Sequence, residues 1–139
     1  MIRMPLLRAG VVAAALVTGA AGFTRPAPGK IVDVQMTGDA AGYKFSPAKI
    51  TIRRGDRVRF TLVSGPPHNV VFWADSIPKG AQTKLTKNMP NTVSPLTSPF
   101  FMNVGDKYVV SFTGLPAGTY RYYCMPHLAL GMKGAIEVK

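Results

Sequence analysis

From residue 31 onward the chain is a succession of short β-branched and aromatic runs, each cut off by glycine, proline or aspartate. "KITI", "RVRFTLV", "HNVVFW", "KYVVSF", "GTYRYYC" and "GAIEVK" are separated by turn sequences such as "RRGD", "NVGD" and "LPAG". In "RVRFTLV", Val58, Phe60 and Leu62 alternate with Arg57, Arg59 and Thr61, the period of a strand with one buried face. No segment beyond the N-terminal stretch has a convincing helical period. Many short strands with turns between them bury their apolar faces against one another, so an all-β sandwich or barrel is expected. The segment Ser76 to Phe101, rich in Pro, Thr, Ser and Lys, fits this pattern worst. It is expected to be loop with a short helix or strand inside.

The first residues have a different character. Arg3 and Arg8 precede or open "AGVVAAALVTGAAGF", an apolar, small-residue run too short to span a bilayer. This predicts a cleavable export signal over 1–22, with cleavage near Thr18-Gly19-Ala20 or Ala20-Ala21-Gly22, and no cysteine nearby to carry a lipid anchor. Residues 23–30 then form an extended mature N-terminus, and 31–139 a single domain. The expected compartment is the periplasm, or a thylakoid lumen if the source is photosynthetic. Loss of Arg3 and Arg8 lowers the formal charge from +11 to +9, which favours anionic partners. Export and the lack of any nucleic-acid motif argue against nucleic acid, and nothing argues for stable membrane insertion or for more than a monomer.

One cysteine and two histidines are all the chain has. A single Cys cannot form an internal disulfide, and a free thiol outside the cytoplasm oxidises readily, so something must protect Cys124. Cys124, His127 and Met132 crowd into "YYCMPHLALGM", at spacings of three and five, and His68 opens a strand in "SGPPHNVVFW". Taken singly, each is more often a core or turn residue. Together, one Cys, two His and a weak Met match the trigonal His₂Cys set with a long thioether used by blue-copper electron-transfer sites. A thiolate and a thioether favour Cu(I), imidazoles tolerate Cu(II), and a compromise geometry minimises rearrangement when one electron moves. Zinc prefers four firm ligands, among which Met is a poor one.

These residues carry a family resemblance. "YRYYCMPHLALGMKGAIEV", "GPPHNVVFWADSIP" and "YKFSPAKITIRRGDRVRF" resemble the ligand motifs and the N-terminal Phe-x-Pro and Gly-Asp turn of the cupredoxins, above all the plastocyanins, over roughly residues 31 to 139. The resemblance implies an eight-stranded Greek-key sandwich holding one type 1 copper ion at one end. It implies His68, Cys124, His127 and Met132 as ligands. It further implies that the Asn69 backbone N–H donates to the thiolate and its side chain ties the two ligand loops together. Pro126 has no N–H to offer the sulfur, which leaves more charge there.

Plant plastocyanins carry acidic clusters after the first-ligand segment. Here the positions read Trp73, Ala74, Asp75, Ser76, followed by Lys79, Lys84 and Lys87, so the charge is reversed. The expected function is that of a soluble one-electron carrier, not an enzyme, moving electrons between donor and acceptor proteins with acidic docking surfaces. Pro66, Pro67, Leu128, Ala129 and Leu130 are expected to form an apolar rim where electrons leave through His127, with Tyr123 as a second exit. Arg53, Arg54, Arg57 and Arg59 would steer the partner. The alternative is an extracytoplasmic copper-binding or trafficking protein. Its usual Met-rich or His-rich clusters are missing, since the seven Met are scattered. Multicopper enzymes need further His-rich centres, for which two histidines do not suffice.

Overall fold

The computed structural model describes residues 27–139 together with Gly22 and Arg25. The signal assignment over 1–22 therefore lies outside the described residues except at Gly22. Among the described residues no helix is long and apolar enough to cross a membrane. Eight strands form, as expected: β1 (Ile31–Asp39), β2 (Gly42–Ser46), β3 (Lys49–Ile52), β4 (Arg57–Leu62), β5 (Val71–Phe72), β6 (Lys107–Ser111), β7 (Gly118–Tyr123) and β8 (Lys133–Val138). They make two four-stranded sheets, ordered β2-β1-β4-β6 and β3-β8-β7-β5, with β1–β4 and β3–β8 parallel and the other pairs antiparallel. This is the Greek-key sandwich that the resemblance implied, and it decides between the sandwich and the barrel that the strand pattern left open. Pro47 follows the last residue of β2 and has no N–H for a ladder, and there the chain passes from one sheet to the other.

Val58, Phe60 and Leu62 are fully buried, as the alternation in β4 requires. They meet Tyr120, Tyr122 and Ile136 of the opposite sheet in one continuous core. Tyr122 stands at its centre, edge-on to Phe45 and Phe60 at 4.7 and 5.3 Å between ring centroids. Its room comes from Gly134, the residue directly across on β8, where a Cβ atom would lie 2.5 Å from the Tyr122 ring.

One expectation needs correction, and one is resolved between its alternatives. "HNVVFW" is a strand only at Val71–Phe72, because His68, Asn69 and Val70 send their backbone groups elsewhere. His68 bridges Phe101, and the Val70 N–H donates to Ser98 Oγ at 2.8 Å. The Ser76–Phe101 segment is largely loop with a short helix inside, α1 (Gln82–Asn88), the helix rather than the strand of the two forms expected there. At seven residues it buries only Leu85 within its span, too little for a pattern to register. It ends where Met89, forced extended by the following Pro90, takes ψ 122°. Asn88 then ties the helix to the end of β6, donating to the carbonyls of Ser111 and Thr113 at 2.9 and 3.0 Å.

The sandwich has two distinct poles. At one, the turn before β4 gathers both ends of the domain: Arg54 N–H donates to the Lys139 carbonyl and Arg57 N–H to that of Lys30, at 3.2 and 2.7 Å. Asp56 organises this turn, its carboxylate accepting backbone N–H bonds from Arg53 at 2.9 Å and Lys30 at 2.8 Å. Those bonds hold its carboxyl below the usual carboxylate range, against the opposing effect of burial. A lowered native value means that the stabilisation is complete above the unfolded value of about 3.9 and fades as pH falls through the native one. Asp56→Asn is expected to lower Tm at neutral pH and to flatten the decline of Tm in acid. Parallel Tm-against-pH curves for the two proteins below about pH 4 would exclude this role.

Candidate metal centre

The opposite pole carries the Cys and His residues. Cys124 directly follows β7, and the backbone then makes tight 3₁₀ turns over Met125–Leu130. His127 leaves helical geometry, at φ −120°, ψ 15°. Gly131, in the left-handed region at φ 82°, reverses the chain into β8. The loop is closed from within: Cys124 N–H donates to the Met132 carbonyl, Met132 N–H to that of His127, and Gly131 N–H to that of Leu128, at 3.0, 3.2 and 2.9 Å. Met132 is fully buried at the loop's end.

His68 arrives from the other sheet's connection. Its Nδ1 lies 3.6 Å from Cys124 Sγ, and His127 Nδ1 lies 3.5 Å from the same sulfur. The three donor atoms fall within 4.8 Å of one another, and all three residues are buried. Donors about 2.0–2.3 Å from one shared first-row ion end up at separations of this order. The tautomer of His68 follows from chemistry. Its Nε2 sits 2.8 Å from the Ser64 carbonyl, which can only accept, so the ring proton is there and Nδ1 keeps its lone pair for a metal. Burial pushes both imidazoles below their ordinary range, so both are neutral donors near pH 7. Burial pushes the Cys124 thiol up, while backbone N–H groups of Asn69 and His127 pull it down. The residues present fit a copper ion.

Asn69 Oδ1 accepts the Met125 N–H at 2.8 Å, linking the two ligand loops. Leu128, Ala129, Leu130 and Pro66 are exposed, with Pro67 partly so. Leu128 and Leu130 thus point to solvent around a His127 ring that is itself 9% exposed. Tyr123 is half-buried on the outer face of β7. The arginines are placed otherwise than the steering expectation needs. Arg53, Arg54 and Arg57 lie at the far pole, and Arg59 is held by Asp33, its cross-strand partner on β1, at 2.5 Å. Lys84 and Lys87 sit on α1, which packs against β6; the cation directly across from Tyr123 is Lys133.

One residue at the site escaped sequence reasoning. Tyr43 stacks on His127 at 3.8 Å between centroids and 16° between planes, and meets His68 edge-on at 6.2 Å. The β1–β2 register sets it opposite Gly38, where any Cβ would run into the Tyr43 ring. An aromatic two residues before Phe45, facing a glycine across a hairpin, was the available signal.

A buried thiol and two imidazoles at one end of a two-sheet sandwich define a copper-binding class of β-protein. Residues 32–139 match the family described as copper binding proteins, plastocyanin/azurin family. Plastocyanin A/B of Petroselinum crispum is 34% identical over 107 residues, covering 76% of this chain and 98% of that protein. Plastocyanin of Scenedesmus fuscus is 34% identical over 108 residues, covering 78% and 99%. The oxidised plastocyanin of Dryopteris crassirhizoma superposes with a TM-score of 0.59 at 29% identity, over 78% of this chain and all of that one. The chain belongs to the plastocyanin/azurin family of copper-binding proteins. Its function is that of a blue copper electron carrier with one type 1 copper.

Proposed function

We propose that His68, Cys124, His127 and Met132 hold the copper, and that the protein shuttles single electrons between larger redox proteins without enzymatic activity of its own. The observation that carries this assignment is the convergence of both Nδ1 atoms on Cys124 Sγ, at 3.6 and 3.5 Å, inside a buried site. Bound copper would supply the one-electron Cu(I)/Cu(II) couple. The chain's part is to hold the donors still. The Ser64 carbonyl fixes His68, Asn69 joins the two loops, Pro126 stiffens the turn between Cys124 and His127, and Tyr43 packs flat on the His127 ring. Donors held this way rearrange little as charge comes and goes. The test is the visible spectrum of the copper-loaded protein, where an intense thiolate-to-copper band in the red is expected. Its absence would overturn the assignment.

Met132→Leu is expected to retain copper and raise the reduction potential, because removing a weak donor destabilises Cu(II) more than Cu(I). Voltammetry checks it; an unchanged potential would assign Met132 to the core alone.

Exposed Leu128, Ala129, Leu130 and Pro66 support the reading that a partner meets the His127 edge across an apolar rim. The net charge supports an acidic partner, and the N-terminal pattern supports export to the periplasm or an equivalent lumen. Leu128→Lys is expected to slow transfer to acidic and basic redox proteins alike, by about tenfold at low salt. With the acidic protein the rate should fall as salt rises; a rate that climbs would reverse the charge assignment.

A further inference from the structure

The segment that crosses beside the His68 loop decides which backbone groups of that loop face the cysteine. Residues 96–101 run antiparallel to residues 68–72, along the edge of β5 away from β7. Phe72 N–H donates to the Leu96 carbonyl, Thr97 bridges Val71, and Ser98 N–H donates to the Val70 carbonyl, both bonds at 3.0 Å. Continued regularly, this register would set Phe100 opposite His68. Phe101 stands there instead: His68 N–H donates to its carbonyl at 3.1 Å, and Phe101 N–H returns a bond at 2.8 Å. One extra residue is therefore taken up between Ser98 and Phe101, a bulge facing Asn69. Pro99, which has no N–H to leave unpaired, sits in it.

Ser98 holds the bulge together. In a regular antiparallel pair the Val70 N–H would go to the carbonyl of Ser98. Here it goes to the Ser98 hydroxyl oxygen at 2.8 Å, and that hydroxyl donates in turn to the Pro99 carbonyl at 2.9 Å. A hydroxyl accepts and donates at once, so one side chain satisfies both backbone groups. Val70 is fully buried and Ser98 is 1% exposed, which leaves no solvent to take the hydroxyl's place. The parity of the pairing then decides what faces the sulfur. His68 and Phe72 give their backbone N–H groups to residues 96–101, and Val70 gives its own to the Ser98 side chain. Asn69 and Val71, alternate in the chain, turn theirs the other way. Val71 pairs there with Tyr123 of β7, and the Asn69 N–H meets the Cys124 sulfur.

We propose that Ser98 is a positioning residue of the copper site: by bridging the bulge it fixes the register that aims the Asn69 N–H at the thiolate, and through that bond it sets the reduction potential. This rests on the ligand assignment proposed above and adds a residue that is hydrogen-bonded to none of the four ligands. Donation to the sulfur draws charge from it and favours Cu(I). A slacker bond leaves that charge on the sulfur and favours Cu(II). A one-residue slip of the pairing would turn the Asn69 N–H away from the cysteine altogether.

Ser98→Ala removes both bonds of the hydroxyl and little volume. In the copper-loaded protein the reduction potential should fall, and copper affinity should drop about tenfold. Ser98→Thr, which keeps the hydroxyl, should restore both. Asp56→Asn, at the far pole, should lower Tm without moving the potential. In the metal-free proteins, amide hydrogen exchange at Val70 should be about tenfold faster in Ser98→Ala than in wild type, and unchanged at Phe72. A potential in Ser98→Ala equal to that of wild type would overturn the role, as would a threonine variant that behaves like the alanine one. Equal acceleration at Val70 and Phe72 would also overturn it, being the mark of a general loss of stability. Should the alanine protein not fold, Ser98→Cys puts a weak donor and acceptor in the same place, and its potential should fall in the same direction; an unchanged potential there overturns the role equally. A wild-type protein without the red absorption band would instead defeat the ligand assignment, while the exchange rates would still report on the bulge.

Discussion

Replacing Cys124 by serine is expected to abolish the red absorption band and reversible electron transfer while leaving a folded sandwich. The thiolate is the one strongly binding soft donor of the cluster, and both imidazoles are arranged around its sulfur. A serine hydroxyl is a hard, far less acidic donor and gives no comparable charge-transfer absorption. The fold should persist, because the core is built from strand side chains at the middle of the sandwich, with Tyr122 rather than Cys124 at its centre. Far-ultraviolet circular dichroism and thermal unfolding without added metal check the second half of the statement. A variant that retained the red band would refute the ligand assignment.

Gly134→Ala is expected to produce the largest loss of stability of any single methyl addition discussed here. The new Cβ would lie 2.5 Å from the Tyr122 hydroxyl and ring carbon, so one of the two residues must move. Tyr122 has nowhere to go: Phe45, Phe60 and Phe72 surround its ring, at 4.7, 5.3 and 5.6 Å between centroids. Overpacking in such a place costs about 3 kcal/mol or more. For a domain of this size that is a drop in Tm on the order of 10 °C. Calorimetry tests it, and a Tm within about 2 °C of wild type would show that the core yields. Tyr122→Phe is the control. Tyr122 Oη is buried and, among the described residues, has no hydrogen-bond partner, so its removal should be neutral or mildly stabilising.

Much of this molecule could be read before any coordinates. The strands announced themselves by alternation, as in Val58, Phe60 and Leu62, because a half-buried strand imposes a period of two on its own sequence. The ligands stood out because Cys and His are scarce here and their chemistry is specific. What escaped reading depends on register between segments far apart in the chain, which no local pattern reports. Tyr43 reaches His127 only because β1 and β2 pair with Gly38 opposite it. Arg59 looked like a free steering charge until β1 brought Asp33 alongside. Trp73 looked like a mere departure from an acidic pattern, and its stacking on Tyr123 follows from the β5–β7 pairing. Helix α1 could be told from a short strand only in the structure, for a different reason, since seven residues are too few to establish a period.

The gathering of Lys30, the Arg53–Asp56 turn and Lys139 at one pole has a practical use. A linker joined after Lys139 leaves the body on the side opposite Cys124 and His127, and a segment preceding Lys30 does the same. The protein can therefore be attached to a gold or carbon surface, or fused to another protein, at a point after Lys139 without covering the His127 rim. Molecules immobilised in this way would all present the electron-exchanging end outward, and a monolayer of them would behave as an oriented contact.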